Sequence, residues 1–467
     1  MSPRIGIVGA GPGGLSLARL LTDSGFADIT VLEKNPRVGG KSLTVHHEGI
    51  GHELGTCYVA DGYKTCEKWM KEAGMEQHPL RHHFIYDNTG ALIDFKDFVE
   101  GPVGLLGTGA QAIKYARAWE KFHAWDIRGG PREGRDERDH LFREEVARPF
   151  GHWLADRGLD AIARFAMRTM TIMGYGPLDR VPALYGLRWN VPSLLLSAVK
   201  LTVTEPIPGW QHLWTYLASH LDVRLGHVIS KVERTDRRYR VHTNHGELGF
   251  DHVVLTGPLD EADAWFPFTP AERGAWGLDG GVEWREYVTT LVEADWFRDG
   301  DTRSWEPHAR DAAATAQGNL LVARRTGDKS AVARARSAYR PSVYVCYQYG
   351  VAGRTDDEQI ARLHENLSAN GARNIKVLTH ARWKYAPQLT PGAIRAGGIG
   401  KMELQQGVGN LWITGATASH EAVDNIVDYN ERLVERMSAA FAGRNPADPE
   451  LLESIARKRG LTFVGDK

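Results

Sequence analysis

Only three cysteines, Cys57, Cys66 and Cys346, occur in 467 residues, and none stands in a Cys-x-x-Cys or zinc-ligand spacing. That excludes a disulfide framework and reads as buried or free thiols of a cytoplasmic protein. No apolar run approaches the roughly 18 residues of a membrane-spanning helix. The first apolar strand begins at Ile5, which leaves no room for a signal peptide. An excess of charge is missing too, with 57 Lys+Arg against 58 Asp+Glu. Nothing electrostatic therefore favours nucleic acid or an anionic membrane surface. G-x-S-x-G, H-E-x-x-H, tandem repeats and low-complexity linkers are all absent.

What is present begins at Ile5. Ile5-Gly-Ile-Val-Gly9-Ala-Gly11-Pro12-Gly13-Gly14 opens a helical pattern at Leu15, Ala18, Leu20 and Leu21. A second apolar strand, Ile29–Leu32, ends on Glu33, followed by Lys34 and then Arg37-Val-Gly39-Gly40-Lys41. A glycine loop between a strand and a helix, with an acid about 20 residues on, marks a dinucleotide-binding βαβ unit. Gly9 permits the tight turn, Gly11 lets backbone approach a pyrophosphate, and Gly14 lets the helix pack close to the strand. The helix N-terminus then faces the phosphates. Glu33 accepts bonds from the adenosine ribose hydroxyls and repels a 2′-phosphate.

Loop and acid alone do not separate NAD from FAD. The glycine pair at Gly39-Gly40 adds a second close backbone approach, and Ile413-Thr414-Gly415 a third at the far end of the chain. No second G-x-G-x-x-G offers a separate NAD(P)H domain, and Asp279-Gly280 lacks the serine and arginine of aromatic hydroxylases. With Glu53-Leu-Gly55-Thr56 and the strand at Val228, these segments resemble the flavoprotein group of amine oxidases, protoporphyrinogen oxidase and phytoene desaturases. The resemblance implies non-covalent FAD and cofactor contacts from Gly9, Gly11, Pro12, Gly13, Gly14, Glu33, Lys34, Gly40, Lys41, Gly55, Thr56, Val228, Gly415, Ala416 and Asp424. The fold it implies is α/β, a discontinuous Rossmann-like FAD-binding domain joined to an α+β substrate domain. The FAD-binding pieces are expected at 1–80, 206–265 and 386–445. The substrate pieces are expected at 81–205, largely helical, and at 266–385, largely sheet, with a tail at 446–467.

Gly174-Tyr175-Gly-Pro-Leu-Asp-Arg-Val-Pro182-Ala-Leu-Tyr185, Trp383-Lys-Tyr385-Ala-Pro387 and Asp424…Tyr429 are more closely similar to bacterial polyenoic fatty acid isomerase. So are Leu80-Arg81-His82-His83-Phe84 and Pro149-Phe150-Gly-His-Trp-Leu154. That family moves a double bond by taking a hydride onto the flavin and returning it to another carbon. Two departures stand out. Where the family fixes a substrate carboxylate with arginine this chain aligns His82, with Arg81 beside it on the opposite strand face. Where an acidic residue usually follows the terminal glycine stands Ala416, which removes one hydrogen bond of about 1 kcal/mol.

Hydride chemistry belongs to the cofactor, and the protein supplies orientation and exclusion of water. The residues read as shaping the reaction are Tyr385, Trp383 and Tyr175. Tyr347 and Tyr349, with Tyr344, on the strand 343–349 line a slot for an apolar substrate, and Arg81 and His82 anchor it. The alternative for each aromatic is core packing. His46, His47, His52, Glu48 and Glu53 form a polar hairpin, with metal binding the lesser reading. The expected activity is hydride abstraction from an apolar unsaturated molecule, a polyunsaturated acid or polyketide, with hydride return or loss. The rivals are a flavin amine or amino-acid oxidase using oxygen and a non-catalytic flavoprotein.

Overall fold

Ile5–Val8 and Ile29–Leu32, almost wholly buried, lie side by side as parallel strands. The computed structural model describes residues 3–80, 82–127, 137–200, 202–235, 238–298, 302–326 and 342–458. In it the two strands sit within a five-stranded parallel sheet. Its order is Leu411–Ile413, His252–Leu255, Ile5–Val8, Ile29–Leu32, Asp222–Arg224. Short, continuously apolar strands suit a parallel sheet covered on both faces. The strands come from the beginning, middle and end of the chain, so this lobe is discontinuous. Helix Pro12–Asp23 packs on helix Val423–Phe441. There the buried Asn430 side chain donates to Gly13 O (2.8 Å) and Ser16 Oγ (2.7 Å), tying the last long helix to the first glycine loop.

The second sheet has seven strands, in the order Arg373–Leu389, Val282–Asp295, Ser342–Tyr349, Val322–Thr326, Thr302–Trp305, His83–Tyr86, Leu92–Asp94. Strand alternation divides its side chains between two faces. Tyr287, Leu291, Val345, Tyr347 and Tyr349 look toward the cofactor lobe and the helical layer. Val292, Tyr344 and Cys346 look toward helix Asp356–Ala369. Tyr344 therefore leaves the expected slot, one residue out of phase, and its hydroxyl donates to Phe297 O (2.7 Å).

The strand Arg373–Leu389 runs through residue 385, where a domain boundary was expected, and pairs along most of Val282–Asp295. The sequence alternates over Tyr239–His242 and Gly249–Thr256, which predicts two strands; the structure has three, because Asp251 accepts the N–H of Arg4 (2.9 Å) and turns the chain into the parallel sheet. A run of charged residues at 128–139, which the sequence predicts to be a solvated loop or helix face, lies mostly outside the described residues. Among those described, no helix is long and apolar enough to cross a membrane, and no group of three or more His, Cys, Asp or Glu is placed to hold a metal.

Candidate cofactor and substrate site

Three distant glycine segments converge at the end of the parallel sheet. Gly39 N donates to Ala10 O (2.8 Å), docking the glycine pair on the first loop. A Cβ on Gly40 would stand 3.1 Å from Gly11 Cα, and one on Gly13 3.1 Å from Gly415 Cα. Gly14 leaves no room at all, since a Cβ there would stand 1.9 Å from Gly9 O. Helix Pro12–Asp23 starts at Gly11 with no side-chain cap and with Pro12 in its first turn. Its first N–H groups face this junction with the positive end of the helix behind them. Glu33, buried, is oriented by Ala10 N (2.8 Å) and by Asn35 N (2.9 Å).

The hairpin Thr44–His47/Ile50–Glu53 returns as expected, and Gly55 backs onto Lys41 so closely that a Cβ would meet Lys41 O. Thr56 shares a hydrogen bond with Ser42 Oγ (2.9 Å). Other expected contacts are placed differently. Lys34 is exposed and paired with Glu261 (3.0 Å). Val228 follows His227, whose N–H donates to Glu33 O, but Asn244 engages both its N–H (2.8 Å) and its carbonyl (3.2 Å). Asp424 turns from the glycine junction toward Gly62, Tyr63 and Cys66, and burial beside Asp428, Glu431 and Glu67 pushes it up to about 7. Ala416 offers no acceptor. The acid of this loop is Glu421, five residues on, whose carboxylate holds Lys41 Nζ at 2.8 Å and accepts Ala386 N at 2.9 Å.

Lys41 also lies 5.3 Å from the centre of the Tyr385 ring, and here the substrate side begins. Tyr385 packs on Tyr175 (ring centres 5.4 Å) and Tyr287 (5.6 Å). Tyr287 donates to Ile172 O (2.5 Å) and Tyr349 to Thr171 O (2.7 Å), while Trp383 donates to Thr289 Oγ1 (3.0 Å). With the polar tips satisfied, ring faces are what this wall presents. His420, not anticipated from the sequence, completes it 4.8 Å from Tyr175. Burial pulls the imidazole down to about 3, and its Nε2 has no partner among the described residues. The signal for His420 is its place between Gly415 and the last long helix.

Behind the tyrosines lies a buried charged cluster. Arg324 donates to Tyr347 Oη (3.2 Å) and Glu53 O (2.9 Å) and pairs with Glu205. Burial pushes the Glu53 carboxyl up to about 8. Arg168, also buried, donates to His83 Nε2 (3.0 Å) and Tyr58 Oη (3.3 Å) and meets no carboxylate among the described residues. The expected anchor changes accordingly. His82 is exposed and stacked over Phe84, because one step along the strand reverses the face; the histidine that turns inward is the half-buried His83. Arg81 lies outside the described residues.

The sequence profile of the family of flavin containing amine oxidoreductases matches residues 12–277, more than half of the chain, and the chain belongs to that family. It is an FAD-dependent enzyme. The polyenoic fatty acid isomerase of Ptilota filicina is 25% identical over 299 residues, 58% of this chain and 60% of that protein. The match thus spans less than two thirds of that relative's length. Polyamine oxidase 1 of Zea mays is 29% identical over 114 residues, 22% of this chain and 23% of that protein. Among solved structures, a fatty acid isomerase from P. acnes described as producing CLA shares the fold with a TM-score of 0.77 at 22% identity, covering 93% of this chain and 98% of that one. Putrescine oxidase with bound putrescine does so at 0.67 and 18%, covering 95% and 100%. The residues fit FAD: backbone meets backbone at Gly11, Gly13, Gly40 and Gly415, where any Cβ would narrow the cradle, and His420 Nε2 is orphaned beside it.

Proposed function

We propose that the chain shifts a double bond in an apolar, unsaturated carboxylic acid by hydride removal and return. The observation that carries this reading is the wall of Tyr175, Tyr385, Tyr287 and His420 beside Lys41, backed by a buried guanidinium, Arg168, that meets no acidic partner among the described residues. Bound FAD supplies the group that accepts and returns the hydride. The protein's part is to hold FAD through the Gly9–Gly14 loop, Glu33, Gly40, Lys41 and Gly415, and to hold the substrate flat. Ring faces of Tyr175 and Tyr385 position the conjugated carbons, Trp383, Tyr347 and Tyr349 close the slot, and water is excluded by the same packing. Neutral His420 adds a polar edge without charge. Arg168 takes the carboxylate, replacing neutral partners with an ionic one. The similarity to the isomerase of Ptilota filicina supports this choice over the oxidase reading.

The test is anaerobic incubation of the FAD-loaded protein with polyunsaturated acids deuterated at the position losing hydride. Redox-neutral conversion with deuterium retained in the product is the expected result. Stoichiometric hydrogen peroxide from amines in a parallel incubation in air, with no polyene conversion in the anaerobic one, overturns it in favour of an amine oxidase.

A further inference from the structure

A cleft of about 840 Å³ opens where the turn Gly174–Pro177 meets the strands Val282–Asp295 and Ser342–Tyr349. Pro177, Trp284, Tyr349 and Ala316 give it apolar sides, and three arginines, Arg285, Arg354 and Arg382, stand against two carboxylates, Glu286 and Asp356. Both carboxylates are taken by Arg382, at 2.7 and 2.8 Å. Arg354 donates to Gln317 O (3.2 Å). Arg285 makes no hydrogen bond or ion pair with any described residue, and its Nη1 is buried without a partner. The guanidinium packs over Gly176, where a Cβ would stand 2.7 Å from Nε at φ +120°, so the backbone is shaped around it. Tyr287, two residues on and on the same face, belongs to the aromatic wall, while the cleft itself lies beyond Gly176 from Tyr175.

We propose that this cleft, which shares Tyr349 with the aromatic wall but opens beyond Gly176, is a second ligand site for an amphipathic organic carboxylate whose head pairs with Arg285 and whose apolar body lies against Trp284 and Pro177. Arg285 feels the exposed carboxylate of Glu283 but makes no ion pair with it among the described residues, so a monoanion in the cleft would complete its pairing, and the three lining arginines exceed the two lining carboxylates by one. A phosphate dianion would exceed that charge, and a neutral lipid would leave Arg285 unpaired. The proposal does not depend on which reaction the flavin performs.

The test is calorimetric titration of the FAD-loaded protein with decanoate, and with decanol as the uncharged control, while flavin absorbance is recorded. Wild-type protein is expected to show a decanoate step that leaves the flavin spectrum unchanged, with decanol at least tenfold weaker. Arg285→Gln should weaken that step at least tenfold and Arg285→Lys only a few-fold. Ala316→Phe, which fills the cleft from an exposed position and keeps Arg285, should abolish it. Equal decanoate affinity in wild type, Arg285→Gln and Ala316→Phe overturns the proposal, as does a step that always shifts the flavin spectrum. Polyene turnover measured on the same samples reports separately on the reaction.

Discussion

Lys41 Nζ stands 2.8 Å from both carboxylate oxygens of Glu421, and one of those oxygens also accepts the N–H of Ala386 at 2.9 Å. The contact joins the glycine-pair segment, the loop before the last long helix, and the strand that carries Tyr385. Ala386 has φ +49°, a region costly for a residue with a Cβ, so Glu421 also holds a strained turn beside the aromatic wall. Lys41→Met leaves Glu421, 6% exposed, without its counter-charge and should cost about 3–5 kcal/mol. Glu421→Gln keeps one acceptor for Ala386 and should cost less. Urea unfolding of the two single variants and the double variant should give a coupling energy above about 1 kcal/mol; additive losses would show that the pair is incidental.

The glycine cradle separates folding from cofactor binding. Gly14→Ala drives a Cβ into Gly9 O and should prevent the first strand–helix unit from forming. Gly40→Ala meets Gly11 Cα at 3.1 Å with φ +52°, a strain of about 1–2 kcal/mol that the fold absorbs. It should yield folded protein whose FAD dissociation constant is raised at least tenfold, measured by flavin fluorescence on reconstitution. Folded Gly40→Ala with wild-type affinity would remove the cradle from the FAD site.

These two relationships show what sequence reading reaches. The loop from Gly9 to Gly14 and Glu33 was legible because strand, turn, helix and acid lie within 30 residues and their spacing has one physical meaning. Glu421 was not, because the expected acid position, Ala416, lies five residues earlier and only the turn after Gly415 brings Glu421 to Lys41. The strand Arg373–Leu389 was hidden for another reason. Most of its side chains are half-buried, with polar and apolar residues mixed, and it is specified by pairing along Val282–Asp295 rather than by its own pattern. Arg168 was invisible as an anchor because its partners, Tyr58 and His83, come from segments more than 80 residues away.

Burial gives Glu53 a folded-state value of about 8 against an ordinary value of 4.5. Between those values the folded protein keeps the proton and the unfolded chain loses it. Stability therefore falls as pH rises through that window, by about 1.4 kcal/mol per pH unit at most, and levels off above pH 8. Glu53→Gln mimics the neutral acid and keeps an acceptor for Trp210 N and Thr44 Oγ1. It should match wild type near pH 5 and exceed it at pH 8.5 in urea unfolding. A parallel pH dependence in both proteins would mean that Glu53 is ionised in the fold.

Tyr385 and Tyr175 contribute packed ring faces, 5.4 Å apart, in the proposed reaction. Tyr385→Phe should therefore retain kcat within about threefold, while Tyr385→Ala opens the wall, admits water, and should lower kcat at least a hundredfold, within the range of a misplaced near-attack geometry. FAD content should stay unchanged in both. If Tyr385→Phe lost activity as fully as Tyr385→Ala, the hydroxyl would be a proton-transfer group and the reading of the wall as a shape device would fall.

Arg168 tests the identity of the substrate's head. Its guanidinium is buried and its neighbours are neutral, since burial together with Arg168 itself holds His83 well below its usual value and burial pushes Tyr58 up, so neither supplies a negative counter-charge. A carboxylate there gains a charge-assisted bond worth about 1.5–3 kcal/mol, or roughly 10–150-fold in affinity. Arg168→Gln should raise KM for a polyunsaturated acid by that factor and leave kcat nearly unchanged. For the methyl ester of the same acid KM should change little, since an ester has no charge to lose. Thermal unfolding guards against a trivial outcome, because removing an unpaired buried cation should not lower Tm. Equal KM increases for acid and ester would assign Arg168 to the packing of the slot and leave the head group of the substrate to be bound elsewhere.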